Sequence, residues 1–585
     1  MWVNASLVEL RGFWAVLSPE RRRQVLLTLS LAIVSAAVEM ASLALTYPWI
    51  TALFAPGMIR PHGAVQKAWA RIDPTLDPHA YLVGLTLLFG AAVLLAGALR
   101  MTVTWVQVRL AYAIAGDLSR AAFGAMLDRS YEAHVSENSS IATSIITRQV
   151  ELVTRNTIMP ALSIIVSGLI MVAVLAAILA LASHLALYMF CGLALAYAIV
   201  SLLSRGFIRR DSEAIPRTHA QLVKLVNESV GSIRDIIIDR QQGIYLREFD
   251  RVDRALRRAV ANAQILSGTP RYGIEALGLV TVAAVTYFAL RNGHGVGSLI
   301  PTLGLLALSA QRMLPVMQSL YQGYVALRSS SGANRKLLAM LDAAPPPPGS
   351  ADGGPRRLDG DLVLDRVTYT YPARTEPALR DISFTVPQGV RVGVVGPTGS
   401  GKSTLLDLIL NLLTPQSGRI MVGGVALDAA ARADWHAQVA HVPQEVFLID
   451  APIAENIAFG ITPEEIDADR LRDAAERAQI LAEIERLPHG FATVVGERGA
   501  FLSGGQRQRI GIARALYKGG AVFVLDEATS ALDLATEARV IAALMSLPGR
   551  PTIFMISHRP GMIAACDHFI ILDGAGGARL TSSPE

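Results

Sequence analysis

Residues 396–404 read Gly-Pro-Thr-Gly-Ser-Gly-Lys-Ser-Thr, and here the residue types first point to chemistry. Gly396, Gly399 and Gly401 let backbone N–H groups turn inward around phosphate oxygens, and Pro397, Thr398, Ser400 and Thr404 complete the loop. Lys402 is spaced to bridge the β and γ phosphates of a nucleotide, and the Ser403 hydroxyl to ligate Mg2+. A second pair, Asp526 and Glu527, closes an apolar run at 522–525. At the carboxyl end of a strand near such a loop, Asp526 would hold Mg2+ through its water shell. Glu527 would orient and deprotonate the attacking water.

Both groups need particular elements beneath them. Residues 390–395, Val-Arg-Val-Gly-Val-Val, read as a buried strand running into the glycine loop, and 405–413 as the apolar helix that follows. That strand, loop and helix form the context a phosphate-binding loop requires. From about 359 the pattern is short strands with turns, then alternating strands and helices, which predicts an α/β domain at 359–585. Before it, 342–358 is rich in proline and glycine, cannot continue a helix, and marks a linker.

The remaining 1–341 has a different character. The chain has 585 residues, 52% hydrophobic and 17% charged, and a mean hydropathy of +0.40. Soluble domains run nearer a quarter charged, so the composition argues against a wholly soluble or disordered protein. Apolar runs long enough to cross a bilayer fall near 25–46, 81–100, 157–181, 185–203, 273–290 and 298–317. The third and fourth are joined around Ser183 and His184, and the fifth and sixth by 291–297, as tight hairpins at one face. The connections 101–156 and 204–272 are long enough to project about 35–40 Å beyond the membrane as helix pairs.

Charge sets the orientation. Residues 1–350 hold 31 Lys/Arg against 20 Asp/Glu, and 351–585 hold 22 against 28. The arginines gather before the first run and in the second long connection, which places the N-terminus, both long connections and everything after 320 in the cytoplasm. The arginines sit between apolar runs rather than on a soluble basic face, so nucleic acid is not an expected partner. The first run is too long for a cleaved signal peptide and reads as a retained span. Residues 5–19 before it read as an interfacial amphipathic helix, and they leave no room for an added sensor or protease domain. Cys191 and Cys566 offer neither a disulfide framework nor metal-ligand spacing.

Ionisable residues inside spans are costly and therefore functional candidates. Glu39 lies within the first span, as a cavity-lining residue or in an interhelical hydrogen bond. Arg312 lies in the sixth and Glu275 opens the fifth, each either snorkelling to the interface or paired between helices, with Arg312 also a candidate to line the cavity beside Glu39.

Between the phosphate loop and Asp526, Leu502-Ser503-Gly504-Gly505-Gln506-Arg507-Gln508-Arg509 resembles the signature motif of ATP-binding cassette (ABC) proteins. Other matches follow in the family's order. Tyr371 resembles the adenine-stacking aromatic, Gln444 the Q-loop glutamine, Ser530-Ala531-Leu532-Asp533 the D-loop and His558 the switch histidine. Six spans with two long cytoplasmic connections, fused ahead of one cassette, are similar to ABC exporter half-transporters. The resemblance implies ATP and Mg2+ as ligands, with Gln444 and His558 joining Glu527 at the reaction. It implies that Gln444 also contacts the metal, and that Ser503, Gly504, Gly505, Gln506 and Asp533 contact nucleotide across a head-to-tail dimer. With Glu527 and His558 both present, a homodimer with two competent sites is expected. The family's coupling helices correspond to the connection tips at Tyr131–Ser136 and 242–248. Only 27 residues follow His558, short of the terminal helix many members carry, which bears on stability or dimer contacts rather than catalysis.

Cargo is read less directly. Stretches at 38–40, 130–140 and 270–278 look similar to the bacterial branch that moves lipid-linked oligosaccharides, polysaccharides or glycolipids, and peptide exporters share parts of them. The arginine-rich second connection suits anionic headgroups, or serves only as topology signal and anionic-lipid anchor. The expectation is an ATP-driven flippase or exporter of a lipid-linked, lipid or otherwise amphipathic substrate, with a peptide or drug pump as the alternative. Intact Glu527 and His558 argue against a non-pumping regulator. The setting would be the inner (cytoplasmic) membrane, multi-pass, with the cassette in the cytoplasm.

Overall fold

The computed structural model describes residues 2–54, 78–136, 145–181, 192, 195, 199, 215, 217–291, 296–342, 356–372, 374–557 and 559–583. The chain forms two compact units, Met1–Asp128 with Ser139–Pro345, and Arg129–Asn138 with Pro346–Glu585. The predicted fourth span and most of the linker lie outside the described residues.

The first unit is helical. In chain order, α1 covers Trp2–Val16, α2 Pro19–Phe54 and α3 Pro78–Leu127. At 50 residues, α3 is about 75 Å long, so the apolar run and the projecting arm after it are one continuous helix. The chain returns through π-helical turns at Ile145–Gln149 and Thr154–Ile158 into a helix at Met159–Leu181. Three helices among the described residues are long and apolar enough to cross a membrane: Pro19–Leu53, Ala80–Leu127 and Val150–Ala177. The fifth and sixth runs fall on helices Pro270–Arg291 and Val296–Ser329.

On α2 the buried stripe is Thr28, Ala32, Ser35, Glu39, Ser42 and Thr46, at alternating intervals of four and three residues. Small and hydroxyl side chains at that spacing let helix backbones approach closely in lipid, where association rests on packing and hydrogen bonds. Glu39 is thus on the packed face by periodicity. The buried face of α1 centres on Glu9 and Phe13, while Trp14 is exposed. Glu9 accepts from the Asn334 side chain at 2.7 Å, and Asn334 in turn accepts from the Thr157 hydroxyl at 2.8 Å.

The second connection turns earlier than its sequence suggested. A short helix at Ile233–Ile238 forms the tip, Arg240 takes a left-handed φ of 54°, and 242–248 are the first turns of helix Gln242–Gly268. Ile233, Ile237 and Ile238 are exposed there.

The second unit is α/β. Strands β1 (Leu362–Tyr369), β2 (Leu379–Val386), β4 (Ser417–Val422) and β5 (Val425–Ala426) make a four-stranded antiparallel sheet in the order β2-β1-β4-β5. The larger sheet uses β3 (Arg391–Val395), β6 (Val439–Val442), β7 (Val522–Asp526), β8 (Thr552–Ile556), β9 (His568–Leu572) and β10 (Ala578–Thr581). Its order is β10-β9-β3-β8-β7-β6, parallel except at the β10 edge. β7 and β8 are apolar along their length and buried, as strands covered on both faces must be. Their carboxyl ends therefore meet the loop after β3, where ligands of open parallel sheets bind. The first-connection tip, helix α4 (Tyr131–Ser136), belongs to this unit, and the Tyr369 hydroxyl donates to Glu132 at 2.9 Å.

Candidate functional site

The loop after β3 is shaped by its glycines. Gly399 and Gly401 have φ of 82° and 97°, open to glycine and strained for other residues. A Cβ on Gly396 would lie 2.7 Å from Ser400 Oγ, and one on Gly401 2.9 Å from the Ala378 carbonyl. Helix α5 (Lys402–Ile409) follows with its N-terminus at the loop. Lys402 Nζ donates to the carbonyls of Gly396 and Pro397 at 2.7 and 3.0 Å, which holds the ammonium over the loop. Ser400 Oγ is buried without a hydrogen-bond partner among the described residues. A close-walled loop with an unmet hydroxyl, a lysine and a helix N-terminus fits a nucleotide polyphosphate.

Tyr371 and Thr404 share a hydrogen bond at 3.2 Å, and the Tyr371 ring meets Tyr369 edge-on at 5.0 Å. The aromatic expected beneath the base is thereby anchored to the first turn of α5.

At the carboxyl end of β7, burial and the neighbouring Glu527 raise Asp526 above the usual carboxylate range, while Lys402 pulls it down. Glu527 adopts a left-handed φ of 46° and accepts from Gln444 Nε2 at 2.8 Å. Asp407 on α5, which sequence reasoning missed, is pushed up to about 6 by burial and by Asp526. Its signal was present as an acidic residue within the apolar helical run 405–413.

Ser503 caps helix α6 (Gly504–Lys518) in a reciprocal box. Its hydroxyl accepts from the Gln506 N–H at 3.2 Å, and its own N–H donates to Gln506 Oε1 at 2.8 Å. Gln506 also donates to Glu483, which Arg509 binds at 2.7 Å. Burial opposes it, but these bonds hold Glu483 below its ordinary range. Gly505 packs so closely that a Cβ there would sit 3.1 Å from the Ala531 carbonyl. The side-chain hydrogen bonds of Ser503 and Gln506 go to each other and to Glu483, and none reaches residues 396–404.

Asp533 caps helix α7 (Leu534–Met545) through the N–H groups of Ala535 and Thr536, and those bonds hold its carboxyl low. His558 lies outside the described residues. Beside it, Arg559 donates to the Ser530 and Leu532 carbonyls and to the buried Glu537, which ties the end of β8 to residues 530–537. No motif had singled out Arg559.

Glu39 and Arg312 lie in the helical unit and come together. Glu39 Oε1 accepts from Arg312 at 2.8 Å and from Arg100 at 3.0 Å, and Arg312 also reaches Ser42 at 2.7 Å. Glu39 is 4% exposed, so the interhelical bond is the alternative present. Arg100, the missed member, sits at the last residue of the predicted second span. Glu275 is half-exposed and pairs along its own helix with Arg271.

The folds and site define a membrane helical unit joined to a nucleotide-binding cassette. The ABC transporter transmembrane region matches residues 25–309, and the ABC transporter cassette matches 379–530. The chain therefore belongs to the ABC transporters, as a multi-pass membrane protein with a fused cytoplasmic cassette that binds ATP. Among similar proteins, an ATP-dependent lipid A-core flippase of Cupriavidus pinatubonensis is 44% identical over 38% of this chain and 38% of its own. Flippases of the same name from Chromobacterium violaceum (34% identical, 63% of this chain, 62% of its own) and Salmonella paratyphi A (32%, 64% and 64%) match longer stretches. The chain thus spans less than two thirds of the length of these relatives. A solved bacterial Atm1-family ABC exporter with ATP bound shares the fold, with a TM-score of 0.78 over 96% of this chain and 95% of its own, at 23% identity.

Proposed function

We propose that the chain is one half of an ATP-hydrolysing exporter of the inner membrane that moves a lipid-linked glycan, glycolipid or lipid from the cytoplasmic to the outer leaflet. The observation that carries this cargo class is the likeness, at 32–44% identity, to proteins named lipid A-core flippases. Hydrolysis is supported by Gln444 and Glu527, which stand hydrogen-bonded to each other at 2.8 Å.

On this reading Lys402 turns from the loop carbonyls to the phosphates, and the Ser400 hydroxyl gains the partner it lacks. Ser403, Asp526 and Gln444 would hold Mg2+, which when bound neutralises charge on the phosphate oxygens. Glu527 takes the proton from the attacking water, and Gln444 and His558 orient the groups around it. Ser503 and Gln506 of the signature bond to each other and to Glu483 rather than to their own phosphate loop, which supports a site completed by a second copy, head to tail. Asp533 would line the same dimer interface.

The test is ATP hydrolysis by purified protein in liposomes, with and without a polyprenyl-pyrophosphate glycan or a lipid A-type glycolipid, beside Glu527→Gln. Stimulation by either lipid that disappears in the variant supports the reading. Hydrolysis indifferent to both, but stimulated by peptides or drugs, would move the cargo class to soluble amphiphiles. A second arm mixes Lys402→Ala chains with Ser503→Ala chains. Mixed dimers that regain one working site support the shared arrangement, and none regaining activity rejects it.

A further inference from the structure

Where α2 begins and α3 passes it, the helical unit carries an open groove of about 830 Å³ that no part of the transport reading uses. Arg21, Gln24, Leu27 and Leu31 line it from α2, and Trp105 and Arg109 from α3. Two ion pairs fix the register of these antiparallel helices, Arg21 with Asp117 and Glu39 with Arg100. Arg109 lies midway between Arg100 and Asp117, level with the first turns of the predicted span 25–46. That is the cytoplasmic edge of the hydrocarbon, where an arginine reaches the layer of lipid headgroups.

Trp105, Arg109 and Tyr112 follow one another at intervals of four and three, so they form one stripe on the exposed side of α3. The Arg109 guanidinium lies over the Trp105 ring at 5.3 Å, which leaves its donors free at the ring edge. Arg109 makes no ion pair among the described residues, whereas Arg21 is already engaged with Asp117 and Gln24. By the same register Leu31 and Trp105, the latter 61% exposed, lie on the hydrocarbon side of Arg109 and form an apolar wall. Cationic donors at the interface below an apolar channel complement a phosphate headgroup with an acyl chain.

The geometry points to a binding site in this groove for an anionic glycerophospholipid of the cytoplasmic leaflet, its phosphate on Arg109 and one acyl chain along Leu31 and Trp105. Charge complementarity selects this occupant. A zwitterionic lipid brings its own cation to a rim that is already basic, and a soluble anion leaves the apolar wall uncovered. Depth adds to the selection, because a headgroup drawn to Arg109 stays connected to the leaflet it came from.

The test titrates full-length protein with dioleoylphosphatidylglycerol or dioleoylphosphatidylcholine and reads the first bound lipid by native mass spectrometry. The anionic lipid should bind about tenfold more tightly, because both lipids offer Arg109 a phosphate and only phosphatidylcholine brings a cation to the basic rim. Arg109→Gln should abolish that preference, and Arg109→Lys, which keeps charge without the fork, should restore part of it. Leu31→Trp fills the channel and should weaken both lipids without touching a charge. Thermal midpoints verify that each variant folds. Equal binding of the two lipids by the unaltered protein, or an undiminished preference in Arg109→Gln, overturns the site. Disulfide-linked dimers through Trp105→Cys would assign the groove to a second copy of this chain and overturn it too. Lipid binding is read without ATP turnover, so failure here leaves the transport reading standing.

Discussion

The side-chain amide of Gln444 donates to the carboxylate of Glu527 at 2.8 Å, across 83 residues of chain. Gln444 follows the edge strand β6 and Glu527 follows β7, its parallel neighbour, so sheet register delivers the pair. The glutamine can then register any movement of its own loop directly at the carboxylate.

Glu527→Gln keeps the shape and the hydrogen bond to Gln444 but removes the base. Steady-state ATP turnover should fall by roughly 10²–10⁴, the usual worth of a positioned general base. Equilibrium ATP binding should persist. A variant that loses binding along with turnover would place Glu527 in nucleotide binding instead.

Glu39→Gln leaves Arg100 and Arg312 facing a neutral amide among packed helices. Removing one partner of a buried pair costs about 3–5 kcal/mol, so the thermal midpoint in detergent should drop by many degrees. Arg100 is 42% exposed in its side chain against 19% for Arg312, so Arg100→Gln should cost less than Arg312→Gln. Equal losses from the two would argue against a cluster centred on Glu39 and Arg312.

Tyr369→Phe removes only the hydroxyl that donates to Glu132. The bond to a charged acceptor is worth about 1.5–3 kcal/mol when formed away from bulk water. Amide hydrogen exchange at Tyr131–Ser136 should accelerate while exchange in β3 and β7 stays unchanged. Uniform acceleration across the cassette would mean that Tyr369 acts through the core.

Cys566 donates its thiol to the Met562 carbonyl, and burial, with help from Asp567, pushes it up to about 12. A raised thiol pKa keeps the neutral form dominant through pH 8, so the reactive thiolate is about a thousandfold scarcer than for an ordinary cysteine. In a Cys191→Ser background, alkylation at pH 8 should be slow in the native protein and fast after denaturation, with the native rate still climbing at pH 10. A native rate that levels off near pH 9 would show an ordinary, accessible thiol.

Much of this protein was legible in the chain because the deciding signals are local. A phosphate loop needs its glycines, lysine and serine within nine residues, and the flanking strand and helix are apolar runs of ordinary length. The signature string and the first three spans are equally contiguous, and the structure places helices on them. Periodicity even marks the face of α2 that carries Glu39. It does not say which helix lies against that face. Arg100 and Arg312 are 61 and 273 residues from Glu39, and only packing chose them as its partners. The same holds for Gln444 with Glu527 and for Glu132 with Tyr369, where sheet order and the docking of a short helix bring distant residues within hydrogen-bond reach. The resemblance placed the second turn at 242–248, a few residues late, because the left-handed Arg240 ends the arm before helix Gln242–Gly268 begins. Local physics wrote the nucleotide chemistry and the apolar lengths, and long-range packing, which no spacing encodes, decided what each charge in the membrane meets.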